Sequence, residues 1–152
     1  MRPLKASHLE AITLIGFEKY ARRDFQFFLN HGSSYNLGLF DENKLVGFAL
    51  GLLVRGELDI IAVAVKEDLR KKGNALNIMT QWLMDPRVES ASLEVREANV
   101  GAIRLYLKLG FAISGRRRKY YEGIGDALVM SWVKTMGISV PGARVDSFES
   151  TP

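Results

Sequence analysis

The chain contains no cysteine. That excludes a disulfide framework, a thiolate metal site and any acyl transfer through a cysteine thioester. Histidine is nearly as scarce: His8 and His31 both lie in the first fifth of the chain, with no second ligand at metal-type spacing. They read as solvated or capping residues, and no metal site is expected. Long apolar runs are missing too. The longest, Leu45 to Val54 and Leu58 to Val65, are interrupted by Gly47, Gly51 and Asp59, well short of the roughly 20 residues a spanning helix needs. No membrane segment is expected. The first residues carry Arg2, Lys5, His8 and Glu10 instead of a charged head followed by an apolar stretch, which argues against a secretory signal and for a cytoplasmic protein.

What is present suits one globular domain. With 152 residues, 47% of them hydrophobic, the chain is long enough to bury a real core. Lys and Arg number 21 against 17 Asp and Glu, a formal charge of +4. That moderate excess favours phosphorylated or polyanionic partners without identifying one. No internal repeat is visible, and residues 137–152 lose periodicity after Gly137, so the chain divides into a domain over 1–136 and a tail over 137–152.

Ser7-His8-Leu9-Glu10 has the form of a capping box, and apolar positions at helical spacing predict a first helix over about 7–20. A second, over 22–30, ends at the turn formers His31 to Ser34. Tyr35 to Phe40 and Leu45 to Val54 bracket a polar turn over 41–44 and predict a hairpin. After Arg55-Gly56, residues 57–65 form a strand whose apolar content suggests that both faces are covered. From Gly73 onward, Ala75, Leu76, Ile78, Met79, Trp82 and Leu83 recur at helical spacing until Asp85-Pro86 stops the helix. A short strand over 92–96, a helix capped by Asn99 and ended near Gly110, and two closing strands over 111–121 and 126–134 complete the order.

Two places carry chemistry. Arg70-Lys71-Lys72-Gly73-Asn74-Ala75 lies between an apolar strand and a helix, where unpaired N–H groups and the positive end of the helix dipole form a cradle for phosphate. Gly73 permits close backbone approach, and the three basic residues add charge. A solvated basic turn would read the same way. The second place is Leu93-Glu94-Val95-Arg96. Alternation puts Glu94 on the face opposite Leu93 and Val95 and shared with Arg96, while Tyr106 follows on the next helix. A carboxylate and a phenol so placed suggest one acid–base site. The plainer readings are a sheet-surface ion pair for Glu94, with Arg96 or a neighbour, and core packing for Tyr106.

Taken together, Arg70 to Ala75, the Leu93 to Arg96 run, the Asn99-x-x-Ala102-Ile103-x-Leu105-Tyr106 helix, Leu109-Gly110-Phe111 and Tyr120-Tyr121 resemble the GCN5-related N-acetyltransferase (GNAT) superfamily. Within it they are most similar to the ribosomal-protein alanine and archaeal N-terminal acetyltransferases. The resemblance implies an α/β GNAT fold, a mixed central sheet flanked by helices, and acetyl-coenzyme A as acyl donor. It further implies that the backbone of Val63, Ala64 and Val65 pairs with the pantetheine arm, that Arg70, Lys71, Lys72, Gly73, Asn74 and Ala75 hold the phosphates, and that Asn99 contacts the cofactor. Glu94 would be the general base, Tyr106 would protonate the leaving thiolate beside the cofactor, and Tyr120 and Tyr121 would hold the acceptor with Glu94.

The implied reaction is direct acetyl transfer to an N-terminal α-amine of a protein or peptide, a ribosomal protein among the candidates. An α-amine titrates near 7.7 to 8.0 and a lysine near 10.4, so a carboxylate base serves the former more easily. Two alternatives stay open. One is a small-amine acetyltransferase. The other is a non-catalytic module that binds nucleic acid or the ribosome through Arg116-Arg117-Arg118-Lys119, although such a run reads first as a solvated strand with outward charges.

Overall fold

In the computed structural model, residues 1–17, 20–118 and 125–135 are described. The chain divides into two compact units, Met1–Val88 and Glu89–Pro152. None of the helices among the described residues is long and apolar enough to cross a membrane.

The first unit contains strands β1 (Arg2–Pro3), β2 (Leu37–Asp41), β3 (Lys44–Val54) and β4 (Glu57–Val65), and helices α1 (Leu9–Ile15), α2 (Arg22–Asn30) and α3 (Asn74–Met84). The strands pair in chain order, each antiparallel to the next. The expected hairpin forms, with a tighter turn than the polar run suggests. Asp41 pairs with Lys44, leaving Glu42 and Asn43 to reverse the chain, with Glu42 at φ 57 in the left-handed region.

The expected helix over 7–20 is shorter. A 3-10 turn over Ala6–His8 leads into α1, which stops at Gly16, where φ is 76. The Ser7–Glu10 capping box does not form. His8 Nδ1 instead accepts the Lys5 N–H at 2.9 Å, and the Glu10 carboxylate accepts from Arg22 Nε at 2.8 Å. His31 acts similarly, its Nδ1 accepting from the Ser33 N–H at 3.0 Å. Both histidines therefore serve the local backbone.

β4 alternates more than its composition suggests. Leu58, Ile60 and Ala62 are buried while Glu57 and Asp59 are exposed, so one face of its first half meets solvent. A register shift between Leu50 and Gly51 on β3 skips Ile61. The face of α3 predicted from spacing is buried: Ile78, Met79 and Trp82 are inaccessible to solvent and Leu83 nearly so. Gly51 makes room for it, since a Cβ there would lie 2.7 Å from Trp82 Cζ2. Ile12 of α1 and Phe25 of α2 join Phe48 and Leu50 of β3 in the unit's other buried cluster.

The second unit contains β5 (Ser90–Arg96), α4 (Val100–Lys108), β6 (Ala112–Arg117) and β7 (Ala127–Val133). β7 lies between β5 and β6, antiparallel to both. Leu93, Val95, Leu128 and Met130 are buried. These residues share one face, because Leu93 pairs with Met130 and Val95 with Leu128. Residues 119–124 and 136–152, which include Tyr120, Tyr121 and the expected tail, lie outside the described residues.

Candidate active site

In the first unit, β4 runs through a 3-10 turn, Glu67–Leu69, into α3. Arg70 does not simply offer its charge to solvent. Its Nε donates to the Val65 carbonyl at 2.8 Å, and Asn74 Nδ2 donates to the Leu69 carbonyl at 2.9 Å. These two bonds fold the connection back on the strand end. Lys71 at φ 62 and Gly73 at φ 83 are both left-handed, which bends the chain sharply ahead of the helix.

No side chain caps α3, and no acidic residue stands in its first turn. Its backbone ladder begins with the Asn77 N–H on the Gly73 carbonyl at 3.0 Å. The N–H groups of Asn74, Ala75 and Leu76 thus precede the ladder, as the geometry of any helix start requires. A Cβ added at Gly73 would meet nothing within 4 Å, so space is open above the turn. Open space, forward N–H groups, exposed Lys71 and Lys72 and the dipole end of an 11-residue helix together fit a phosphorylated ligand.

In the second unit, Glu94 projects from β5 opposite Val129 of β7. Its Oε2 is 2.7 Å from Nε of Arg117, with the Glu94 side chain 25% and that of Arg117 62% exposed. The ion pair expected for a sheet-surface carboxylate therefore exists, with Arg117 of β6 as a partner. Arg117 pairs with Ala127 in the ladder, and Ala127 pairs with Arg96, which brings Arg96, Ala127 and Arg117 onto the Glu94 face. Arg116 points the other way. Its Nη1 meets the carboxylates of Glu97 and of Asp126, the latter at 3.4 Å. The first two residues of the basic run are thus engaged by carboxylates of their own unit.

Asn99 caps α4 as its spacing predicts, Oδ1 accepting the Ala102 N–H at 3.2 Å. Seven residues on, the Tyr106 ring lies 5.8 Å from that of Phe111, which stacks on Trp132 at 6.3 Å. Trp132 is the ladder partner of Ala91, so this aromatic row covers the face of β5 that Glu94 does not share. Burial pushes the Tyr106 phenol up to about 12. The phenol is therefore neutral at pH 7 and can donate a hydrogen bond, but it is unsuited to act as a base.

The model of the "Acetyltransferase (GNAT) family" matches residues 6–111. The chain belongs to this family. It is 34% identical over 113 residues to the [ribosomal protein bS18]-alanine N-acetyltransferase of Salmonella typhimurium, covering 69% of this chain and 76% of that one. It is 30% identical over 126 residues to the N-alpha-acetyltransferase of Saccharolobus solfataricus, covering 70% and 75%. Among solved structures, the ribosomal-protein-S18-alanine N-acetyltransferase from Escherichia coli superposes with a TM-score of 0.77 at 25% identity, over 90% of this chain and 96% of that one. The α/β GNAT fold and the acyltransferase class expected from the sequence are both borne out.

Within this GNAT, the structure brings Glu94, Asn99 and Tyr106 into one unit, and Val63 to Val65 and Arg70 to Ala75 into the other. Sequence reasoning missed Arg117 as a partner of Glu94. The signal that could have found it is the register of β6 on β7, which depends on a connection whose length no motif fixes. Among the described residues, no cluster of His, Asp or Glu is arranged to hold a metal ion.

Proposed function

We propose that residues 1–136 of this GNAT transfer acetyl from acetyl-coenzyme A directly to the α-amine at a protein or peptide N-terminus. A cytoplasmic setting goes with this reading, because nascent chains and the acyl donor meet there. The reading assigns the donor's phosphates to the Arg70–Ala75 turn, its pantetheine arm to the backbone of Val63 to Val65, and a further contact to Asn99. The two proton movements fall to Glu94 and Tyr106.

The observation that carries the chemistry is a half-buried strand carboxylate in the same unit as a half-buried phenol that desolvation keeps neutral. Amide formation makes a C–N bond and breaks a C–S bond at the same carbonyl carbon. The amine proton becomes acidic as nitrogen bonds to carbon, and Glu94 takes it, directly or through water. Sulfur needs the opposite, a donor, and Tyr106 supplies it. A thiol near 8.5 is a stronger acid than a phenol at 12, so Tyr106 acts first by hydrogen-bonding the developing thiolate. Base and donor serve the nitrogen and the sulfur on one carbonyl carbon, so the reading requires the side chains of Glu94 and Tyr106 to reach that carbon from β5 and from α4. Tyr120 and Tyr121 complete the reading as acceptor contacts.

The names of the relatives favour a protein N-terminus as acceptor. The test is incubation with acetyl-coenzyme A and a panel of peptides with free or blocked N-termini, beside a panel of small amines, read by mass gain. Gain of one acetyl group on free N-termini, absent from the blocked peptides, is expected. Gain on small amines alone would overturn the peptide reading.

A further inference from the structure

The first residues of the chain are tied to β2 by a small set of contacts. Arg2 and Pro3 pair with Gly38 and Leu37 in a ladder only two residues long. Leu4 lies over Gly38, where an added Cβ would come within 2.6 Å of the Leu4 Cδ2. The Arg2 guanidinium sits 3.9 Å from the centre of the Phe40 ring, and its Nη2 donates to the Glu42 carbonyl at 2.9 Å. His8 closes the segment. Its backbone N–H donates to the Lys5 carbonyl at 2.9 Å while its Nδ1 accepts the Lys5 N–H, also at 2.9 Å, so the two residues hold each other through a short ring of bonds. The imidazole also packs edge-on against the Phe40 ring, with centroids 5.2 Å apart. One aromatic side chain thus carries both Arg2 and His8.

That arrangement requires a neutral ring. Nδ1 accepts only through its lone pair, and a protonated imidazole has donors at both nitrogens, which would set N–H against N–H at Lys5. Protonation would also place a third cation beside Lys5 and Arg2. The charged residues on the surrounding elements do not cancel this. Glu10 of α1 is engaged by Arg22 of α2, where Arg23 adds a further cation, Asp24 accepts from the Ala21 N–H, and β2 and its turn bring Asp41 and Glu42 together with Lys44. The balance at His8 is a downward shift, caused first by removal from water and then by Lys5 and Arg2. A closed segment that holds the proton more weakly than an open one is opened by acid. With so short a ladder beside it, the Lys5–His8 bond is a large share of what holds the segment down.

We propose that residues 2–5 form an acid-sensitive strap over the Gly38–Phe40 stretch of β2, closed while the His8 ring accepts from Lys5 and opened when that ring takes up a proton. Opening bares Phe40 and leaves β2 with β3 as its ladder partner in this unit. This device is independent of the acetyl-transfer reading.

The test is an NMR titration of the full-length protein from about pH 7.5 to about pH 5, with His8→Asn and His8→Ala alongside. Asn offers an acceptor oxygen close to the place of Nδ1 and takes up no proton in this range, whereas Ala removes the acceptor. In the wild type the His8 ring should titrate below the ordinary histidine value near 6.5. The Leu4–Gly38 and His8–Phe40 NOEs should weaken with that same midpoint. Protection of the Lys5 N–H from solvent exchange, corrected for its intrinsic pH dependence, should fall about fivefold, the effect of losing one ordinary hydrogen bond. His8→Asn should keep both the Leu4–Gly38 NOE and the Lys5 protection constant across the range, and His8→Ala should show the reduced protection already at the upper end. A His8 ring that titrates at or above the ordinary value, a Leu4–Gly38 NOE that survives full protonation of His8, or a His8→Asn variant that loosens with acid as the wild type does would each overturn the strap. Should His8→Ala fail to fold, the wild type and His8→Asn decide the question alone.

Discussion

The proposed function gives the two units two kinds of site. The turn ahead of α3 is built from backbone: two left-handed residues, a helix start without a side-chain cap, and flanking hydrogen bonds from Arg70 and Asn74 that shape the loop. The β5–α4 region is built from side chains, with one carboxylate on a strand and one phenol on a helix. A backbone cradle spreads its attraction over several N–H groups and a dipole, so each side chain near it contributes little. A proton-transfer pair concentrates its effect in single atoms, and one substitution removes a whole step. Sensitivity to single changes should therefore be steep in the second unit and shallow in the first.

Glu94→Gln tests the steep side hardest. The amide keeps the shape and the hydrogen-bonding reach of the carboxylate but cannot accept the proton, so kcat for peptide acetylation at pH 7 should fall by about 10² to 10⁴, the span of general base catalysis. The KM for acetyl-coenzyme A should stay near its wild-type value. Tyr106→Phe should cost less, about 10- to 100-fold in kcat, because it removes one hydrogen bond to a developing charge while the ring keeps its packing on Phe111. With the phenol held at about 12, Tyr106 stays protonated through mildly alkaline solution. The pH–rate profile should therefore show no loss from this group between about pH 8 and pH 10. A fall there that disappears in Tyr106→Phe would contradict the donor role.

On the shallow side, Gly73→Ala should have the largest effect of any single change. The added methyl meets nothing within 4 Å, so the cost is conformational: φ 83 is unfavourable for an L-residue by about 1–2 kcal/mol. Part of that cost is relieved when the turn relaxes away from the shape proposed to hold the phosphates. A rise of about tenfold in the KM for acetyl-coenzyme A, with kcat nearly unchanged, is expected. A drop in kcat with unchanged KM would erase the distinction between the two regions.

What could be read from the sequence follows the range of the interactions. The apolar face of α3, the Gly73 turn and the Asn99 cap are settled within a few residues, and each is where the pattern puts it. The face of Glu94 is equally local, because alternation fixes it. Its partner is not: Arg117 reaches Glu94 through the register of β6 on β7, which shifts between Ile113 and Gly115. Arg70 reads as a free charge until the chain folds back and offers it the Val65 carbonyl. Asp85 reads only as part of a helix stop. In the folded chain it is gripped by Arg87 and accepts from the Tyr35 hydroxyl at 2.7 Å, across 50 positions of sequence, and Arg87 first, then Tyr35, hold its carboxyl well below the usual carboxylate range. The Ser7–Glu10 box failed for another reason. The helical turn starts ahead of Ser7, at the 3-10 segment Ala6–His8, so the His8 ring accepts from the Lys5 N–H and Glu10 pairs with Arg22 instead of reaching back to Ser7.

The smallest effect expected is also the one that best separates charge from shape in the first unit. Lys72→Ala removes an exposed cation without touching the left-handed pair or the N–H groups of α3. Its contribution to a phosphorylated donor is long-range attraction in water, worth well under 1 kcal/mol and screened over about 10 Å at 0.1 M salt. The KM for acetyl-coenzyme A should rise about two- to threefold at low ionic strength, and the difference from wild type should vanish near 1 M salt. The Gly73→Ala defect should persist there, because salt does not relieve backbone strain. If Lys72→Ala instead matched Gly73→Ala in size and withstood salt, the lysine would be gripping a phosphate directly, and the first unit would join the second as a site made by side chains.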